Sequence, residues 1–219
     1  MSKTTLVKDR VLIVGGTGFI GTHIVKEALV RGLQVTIISK NHRALSDRIK
    51  DVEYLSTDIS NKDSLYNQLK DKTFHYVVNL GGYVDHSNYS SGGDRVFDVH
   101  FNGTKNLINC INKDTLRSFI QIGSSAEYGD IKAPQSEKLY GFTNSTYALA
   151  KLASTQFLIE LYNAKKFPII ILRFFQVYGP KQDENRILPQ IIKGCLANKT
   201  FPVSKGNQIR DFCYIDDIV

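Results

Sequence analysis

Cysteine is scarce: the 219 residues hold three, Cys110, Cys195 and Cys213, and none form a CxxC pair. An odd, unclustered set argues against a disulfide framework and against a zinc finger. Small, buried, apolar cysteines in a reducing compartment are the expectation. No run approaches the roughly 18 apolar residues of a membrane-spanning helix. The start, MSKTTLVKDRVLIVGG, has no apolar segment of signal-peptide length before its first glycines, which predicts a cytoplasmic protein rather than a secreted one. Internal repeats are missing, and so are linkers rich in Gly, Ser or Pro. The five histidines (His23, His42, His75, His86, His100) show no metal-ligand spacing such as HExxH, so no metal is expected; His86 and His100 are the candidates to face a cleft. Charge of one sign is only mildly in excess, 28 Lys+Arg against 21 Asp+Glu for a net +7. The densest basic pieces, Lys40 to Arg43 and Lys165-Lys166, are too short to make a stripe interleaved with aromatics. Nucleic acid is therefore not an expected partner, and a solvated basic face or a site for phosphorylated small molecules is.

What is present is globular: 42% hydrophobic and 22% charged residues, unlike a disordered tail. Short apolar runs recur at VLIV (11–14), VTII (35–38), YVVNL (76–80), FIQI (119–122) and IIIL (169–172). They are rich in Val and Ile and do not alternate with polar residues, as strands read when both faces are covered. Between the first two lie Ile20, Ile24, Val25, Ala28 and Leu29, spaced for one helix face, with Gly32 as a stop. Further helices are expected at 62–70, 94–113, 146–165 and 185–197. Strands alternating with helices predict an α/β fold, a doubly wound parallel sheet with helices on both faces.

GGTGFIG at 15–21 follows the first run and opens an amphipathic helix. In that context Gly15 allows a tight turn, Gly18 lets the backbone approach a pyrophosphate, and Gly21 lets helix and strand pack closely. Gly18, Phe19 and Ile20 then bring free helix N–H groups to the phosphates. Asp58, with Ile59 beside it, follows a third strand-like segment; it is placed either to meet the adenine end of a dinucleotide or to cap the helix of the 60s. Tyr147 and Lys151 form a Tyr-x-x-x-Lys pair that lies on one helix face. An ammonium there lowers the phenol pKa from about 10 and makes the phenol a usable acid or base. Tyr66/Lys70, Tyr128/Lys132 and Tyr162/Lys166 share the spacing, so position decides. Tyr147 opens a helix and follows Ser124, which stands after the FIQI strand, where ligands of such sheets bind. Tyr66 and Tyr162 are expected on the surface.

With VVNLGG (77–82), NGTKN (102–106), GSSAEYG (123–129), YALAK (147–151) and RFFQVYGP (173–180) in this order, the chain resembles an extended short-chain dehydrogenase/reductase of the nucleotide-sugar epimerase/dehydratase group. RFFQVYGPKQDENRILPQII followed by GNQIRDFCYIDDIV is similar to the CDP-abequose synthase type of 4-keto-sugar reductase. The resemblance implies a Rossmann-type cofactor domain, residues 1–180, and the start of a smaller substrate lobe, 181–219. It implies Tyr147 as the acid/base and Lys151 on the nicotinamide ribose. Ser124 would bond the sugar oxygen at C4, with Ser125 as the alternative. Asn102 would stiffen the site from the fourth helix, and Gly81 and Gly82 would let the backbone approach the cofactor. Arg210, with Arg186, would bind the nucleotide diphosphate; the other reading of Arg210 is an ion pair with Asp211. Gln176 stands where the family has an Asn that touches substrate. A homodimer through the helices of 94–113 and 146–165 is implied as well.

Departures narrow the reaction. The family's 4,6-dehydratases carry Asp-Glu directly after the Ser/Thr; here Ser125 and Ala126 stand there, and Glu127 comes one place too late. Dehydration is thus disfavoured. At the end of the second run, NAD-preferring relatives place an acid for the ribose 2′-OH. This chain has Ser39, then Lys40-Asn41-His42-Arg43, charges suited to a 2′-phosphate. NADP(H) is therefore expected over NAD(H). The expected activity is reduction of a 4-keto-6-deoxy sugar nucleotide, the alternatives being 4-epimerisation and a cofactor-binding protein without activity. Asp216-Asp217 reads as a helix start without a body, and hence as an incomplete substrate lobe.

Overall fold

A computed structural model of the chain describes residues 8–41, 44–85 and 87–219. It divides into two compact units, Met1–Arg173 and Phe174–Val219. In the first unit the elements run β1 (Arg10–Val14), α1 (Phe19–Val30), β2 (Gln34–Ser39), β3 (Val52–Ser56), α2 (Lys62–Leu69), β4 (Tyr76–Asn79), α3 (Gly93–Phe97), α4 (Gly103–Cys110), β5 (Ser118–Ser124), α5 (Thr146–Lys165) and β6 (Ile169–Phe174). The sheet order is β3-β2-β1-β4-β5-β6. β1 pairs in parallel with β2 and with β4, β2 with β3, and β4 with β5. This is the expected doubly wound sheet. The chain order reverses between β1 and β4, which opens a crevice at the carboxyl ends of those strands.

β1 shows why its run is apolar throughout. Leu12 and Val14 join one buried cluster with Ile38, Leu107, Phe119 and Leu158, while Val11 and Ile13 join another with Val25, Ala28, Val35 and Ile37. Side chains alternate across a strand, so covering both faces demands an apolar residue at every position. Each fully buried Leu, Ile or Phe contributes about 1.5–3 kcal/mol.

Gly32 takes φ +77° and lets the Leu33 N–H reach back to Ala28 O at 2.9 Å, closing α1 as a left-handed C-terminal cap. The side chain of Ser145 accepts from the Ala148 N–H at 3.2 Å and starts α5. The helix expected across 94–113 is broken: a π turn, Asp98–Asn102, separates α3 from α4. The His100 carbonyl accepts from the hydroxyls of Thr104 (2.7 Å) and Ser154 (3.0 Å), and such side-chain competition for a helix carbonyl loosens the backbone ladder. Ile111 at ψ 145° then ends α4. Among the cysteines expected to be buried only Cys110 is; Cys213 is half-buried and Cys195 exposed, because Cys195 lies on a helix without buried residues.

In the second unit β7 (Gln176–Tyr178) pairs in parallel with β8 (Phe212–Tyr214), with α6 (Ile187–Leu196) between them and α7 (Ile215–Ile218) after them. Tyr178 packs its ring against Phe212 and Tyr214. Among the described residues no helix is long and apolar enough to cross a membrane.

Candidate active site

The glycine turn lies between β1 and α1. Gly15 has φ +77°, and a Cβ there would meet Leu80 O at 3.0 Å. A Cβ on Gly21 would stand 2.3 Å from Gly15 O, so only glycine lets α1 seat this closely on the turn. Gly18 is the N-cap of α1 without a side-chain cap bond, and the first turn, with Phe19 and Ile20, carries no acid. The turn therefore presents backbone donors and an uncompensated helix dipole, the combination that receives phosphate.

A cavity of about 190 Å³ opens beside it, at the carboxyl ends of β1 to β4. Its walls are Val14, Ile38, Ser39, Lys40, Thr57, Asp58, Ile59, Gly81, Gly82, Tyr83 and Val99. Six of the residues expected to touch a dinucleotide thus meet at one place. The walls require glycine: a Cβ on Gly81 would lie 2.8 Å from Ile59 Cδ1 and 2.9 Å from Val14 Cγ1. Arg43, with His42 and His86, lies outside the described residues.

Asp58 does not cap α2; Asn61 does, its side chain accepting from Ser64 N at 3.0 Å. Asp58 instead accepts from the Ser60 N–H (3.0 Å) and hydroxyl (2.7 Å), and from Arg95 at 2.5 Å, with Lys40 Nζ at 3.5 Å. Partial burial pushes its pKa up, but the Ser60 hydrogen bonds and the Arg95 and Lys40 charges outweigh this and hold it below the usual carboxylate value. The loop is anchored from α4 by Asn106, whose amide donates to Ile59 O and Ser60 O, each at 3.1 Å. Asn102, expected to stiffen the site, bonds only along its own helix, to Asp98 at 3.0 Å. Ser39 donates to Asn41 O at 2.9 Å.

Tyr147 and Lys151 are both buried, at 8% and 5% exposure, on the first turns of α5. Lys151 Nζ donates to Ile122 O at 2.7 Å and lies 5.9 Å from the centroid of the Tyr147 ring. Burial pulls the Lys151 pKa down to about 8, against the pull of Glu127, which raises it. Ser124 ends β5, and its hydroxyl accepts from Ala126 N at 3.2 Å; Ser125 begins the short 3-10 turn Ser125–Tyr128.

His100 links the two regions. Its ring meets the Tyr147 ring edge-on at 5.2 Å and fills the space beside Gly82, whose Cβ would fall 2.1 Å from His100 Cε1. Its Nε2 donates to Tyr83 O at 2.9 Å, which leaves Nδ1 unprotonated, and Nδ1 is buried with no partner among the described residues. Burial and then the Lys151 charge push its pKa down to about 3, so the ring is neutral.

Two positions in the motifs matter in ways that their spacing does not reveal. Asn79 Nδ2 donates to Gln121 Oε1 (2.9 Å) and Thr104 Oγ1 (3.1 Å), and its oxygen accepts the Gly81 N–H at 3.1 Å, setting the cavity wall. Glu127 is fully buried and accepts the Ser124 N–H at 2.8 Å. A polar residue inside an apolar strand, as in YVVNL, is the one sequence signal for the first; the second has none. The remaining expected residues lie in the second unit and are exposed. Gln176 opens β7, Arg186 is the N-cap of α6, and Arg210 donates to Gln208 at 2.9 Å rather than pairing with Asp211.

Residues 11–219 match the sequence model of the NAD dependent epimerase/dehydratase family. A UDP-N-acetyl-alpha-D-glucosaminuronate decarboxylase of Bacillus cytotoxicus is 30% identical over 97% of this chain and 70% of its own length. A dTDP-D-glucose 4,6-dehydratase of Dictyostelium discoideum is 25% identical over 100% of this chain and 55% of its own length. Among solved structures, a UDP-glucuronic acid 4-epimerase of Bacillus cereus, in complex with UDP-glucuronic acid and NAD, superposes with TM-score 0.79 at 28% identity, over 95% of this chain and 70% of that one. A UDP-N-acetylglucosamine 4-epimerase of Methanobrevibacter ruminantium M1 does so with TM-score 0.81 at 28% identity, over 97% and 71%.

Proposed function

The chain belongs to the NAD dependent epimerase/dehydratase family, and we propose that it carries out oxidation–reduction at C4 of a nucleotide sugar. The observation that carries this reading is the buried Tyr147–Lys151 pair, joined through His100 to a glycine-walled cavity at the strand ends. The residues present suit a nicotinamide dinucleotide. Gly15, Gly18 and Gly21 with the start of α1 would hold the pyrophosphate, Asp58 and Ile59 the adenosine end, and Gly81 and Gly82 the middle by backbone approach. Lys151 would hold the nicotinamide ribose. When bound, the dinucleotide supplies or accepts the hydride. Tyr147 exchanges the proton at the sugar oxygen, Lys151 stabilises the phenolate with its charge, and Ser124, backed by Ser125, holds that oxygen in place. Gln176, Arg186 and Arg210 are assigned to the substrate and its diphosphate.

Net reduction of a 4-keto-6-deoxy sugar is the reading we favour. Ser125 and Ala126 support it by standing where dehydration needs two acids, and Ser39-Lys40 support NADP(H) by ending β2 without an acid. The second reading, 4-epimerisation, is favoured by the two structural relatives at 28% identity, both 4-epimerases. A panel of 4-keto and 4-hydroxy nucleotide sugars separates them. Net cofactor consumption supports reduction, isomerisation without consumption supports epimerisation, and binding without turnover in every case overturns both. A homodimer through α3 to α5 belongs to the same proposal, supported by Leu149 and Tyr162, exposed at 46% and 48% on α5; sedimentation as a monomer would remove it.

A further inference from the structure

We propose that Glu127 is a positioning residue for this site: sealed inside the fold, it locks the end of β5 to α5 and β6 and serves as the counter-charge to the Lys151 ammonium. The proposal rests on the reading of Lys151 as the amine that serves Tyr147, and adds to it the group that keeps this amine charged.

Glu127 is 0% exposed, and both of its oxygens are used. Oε1 accepts the Ser124 N–H at 2.8 Å. Oε2 accepts from Thr155 Oγ1 at 2.8 Å and from Arg173 Nε at 2.9 Å. These partners come from β5, α5 and β6, so one carboxylate sets three elements against one another. Thr155 stands four residues after Lys151, on the same face of α5. Gly123 keeps the space open: a Cβ there would lie 2.4 Å from Glu127 Oε1. Arg173, its side chain only 6% exposed, carries the link outward. Its guanidinium lies 4.9 Å from the Tyr128 ring centroid and 5.2 Å from that of Tyr140, and donates to Glu137 O at 3.4 Å. The segment that leads into Tyr147 is thereby held to the same carboxylate.

Stability alone does not account for this arrangement, because a buried ion pair is often matched or bettered by apolar residues of similar volume. The charge has a use at Lys151. Burial works against that ammonium, and Glu127 is the group that works for it. Among the described residues, Glu127 is the charged group that bears on the Lys151 titration. His100 on the π turn is neutral, the Tyr147 ring centroid on α5 lies 5.9 Å from Lys151 Nζ, and Arg173 on β6 is a cation paired with Glu127.

Glu127→Gln keeps the shape and an accepting oxygen and removes the charge. In the cofactor-free protein, the Lys151 titration is read from its Cε resonance in lysine-labelled samples, assigned with Lys151→Arg. The expected result is a fall in the Lys151 midpoint by about one pH unit, the low end of the range for loss of an opposite charge. Arg173 left without its anion endangers the fold, so Glu127→Gln with Arg173→Gln provides a neutral pair, in which the fall is expected in the same direction but smaller because the Arg173 cation goes with the anion. An unchanged midpoint in either folded variant overturns the proposal; so does loss of the fold in both, which would assign Glu127 to folding alone. The readout needs neither cofactor nor sugar, so a protein that fails to reduce or epimerise still reports on Glu127.

Discussion

Burial sets Tyr147 apart from Tyr66 and Tyr162, 8% exposed against 54% and 48%; Tyr128 is buried as well, at 5%, but its lysine, Lys132, is exposed whereas Lys151 is not. Tyr147→Phe is expected to cut turnover by roughly 10²–10⁴ with dinucleotide affinity little changed, while Tyr66→Phe and Tyr162→Phe leave turnover intact. Steady-state rates alongside cofactor titration check this, and a silent Tyr147→Phe would move the acid/base elsewhere. His100 yields a pH prediction. The unfolded chain protonates this ring near pH 6.5 and the folded chain only near 3. Between those values the unfolded state binds more protons, so the ring's contribution to stability falls as pH drops through that window. Denaturant titrations of wild type and His100→Asn should show the wild type losing more stability between neutral pH and pH 4, by a slope of up to one proton. Parallel pH dependences would refute the neutral assignment.

At the scale of elements, α1 and its turn act as one unit because Gly21 has no Cβ. In Gly21→Ala the new methyl would meet Gly15 O at 2.3 Å and Gly16 Cα at 2.7 Å, all backbone. The helix must back away from the turn, with an expected cost of about 1–3 kcal/mol and a loss of dinucleotide affinity of at least about tenfold. Gly32→Ala is the control: Gly32 has φ +77°, but a Cβ there would have nothing within 4 Å. It should cost about 1–2 kcal/mol through its left-handed backbone and leave affinity unchanged. Thermal unfolding and cofactor titration of both variants test the pair; equal effects on affinity would deny the turn its special role. The helix between β4 and β5 carries the opposite lesson. Its apolar spacing is continuous across 94–113, yet the helix breaks at Asp98–Asn102. The hydroxyl that helps take the His100 carbonyl comes from Ser154, 54 residues away.

For the whole molecule, a dinucleotide that binds only the folded state raises the unfolding free energy, by about 2.7 kcal/mol at about 100 times its Kd. The NADP(H) preference predicts a larger thermal shift with NADPH than with NADH at equal concentration, and a selective loss of that difference in Lys40→Ala. Lys40 already lies 3.5 Å from Asp58, so a 2′-phosphate must compete with that carboxylate for the ammonium. An equal or larger shift with NADH would remove the preference and weaken the case for net reduction.

The amino-acid sequence by itself determined what depends on near neighbours. Apolar runs buried on both faces, as in β1, announce a doubly wound sheet. Glycines at 15, 18 and 21 require the tight turn, a helix period places Lys151 under Tyr147, and Gly32 stops α1. These follow from backbone sterics and from periods of two and 3.6 residues, which a few consecutive residues express in full. The tertiary structure alone decided which of several Tyr-Lys pairs is buried, that Asn61 rather than Asp58 caps α2, and that Lys40 faces Asp58. It also decided that Asn79 binds Gln121 across 42 positions and that Glu127 binds Arg173 across 46. Such pairings have no period to read. The partner of a buried polar group is whatever donor or acceptor the fold brings within about 3 Å, and that becomes defined only when distant segments pack and exclude the water that would otherwise satisfy it.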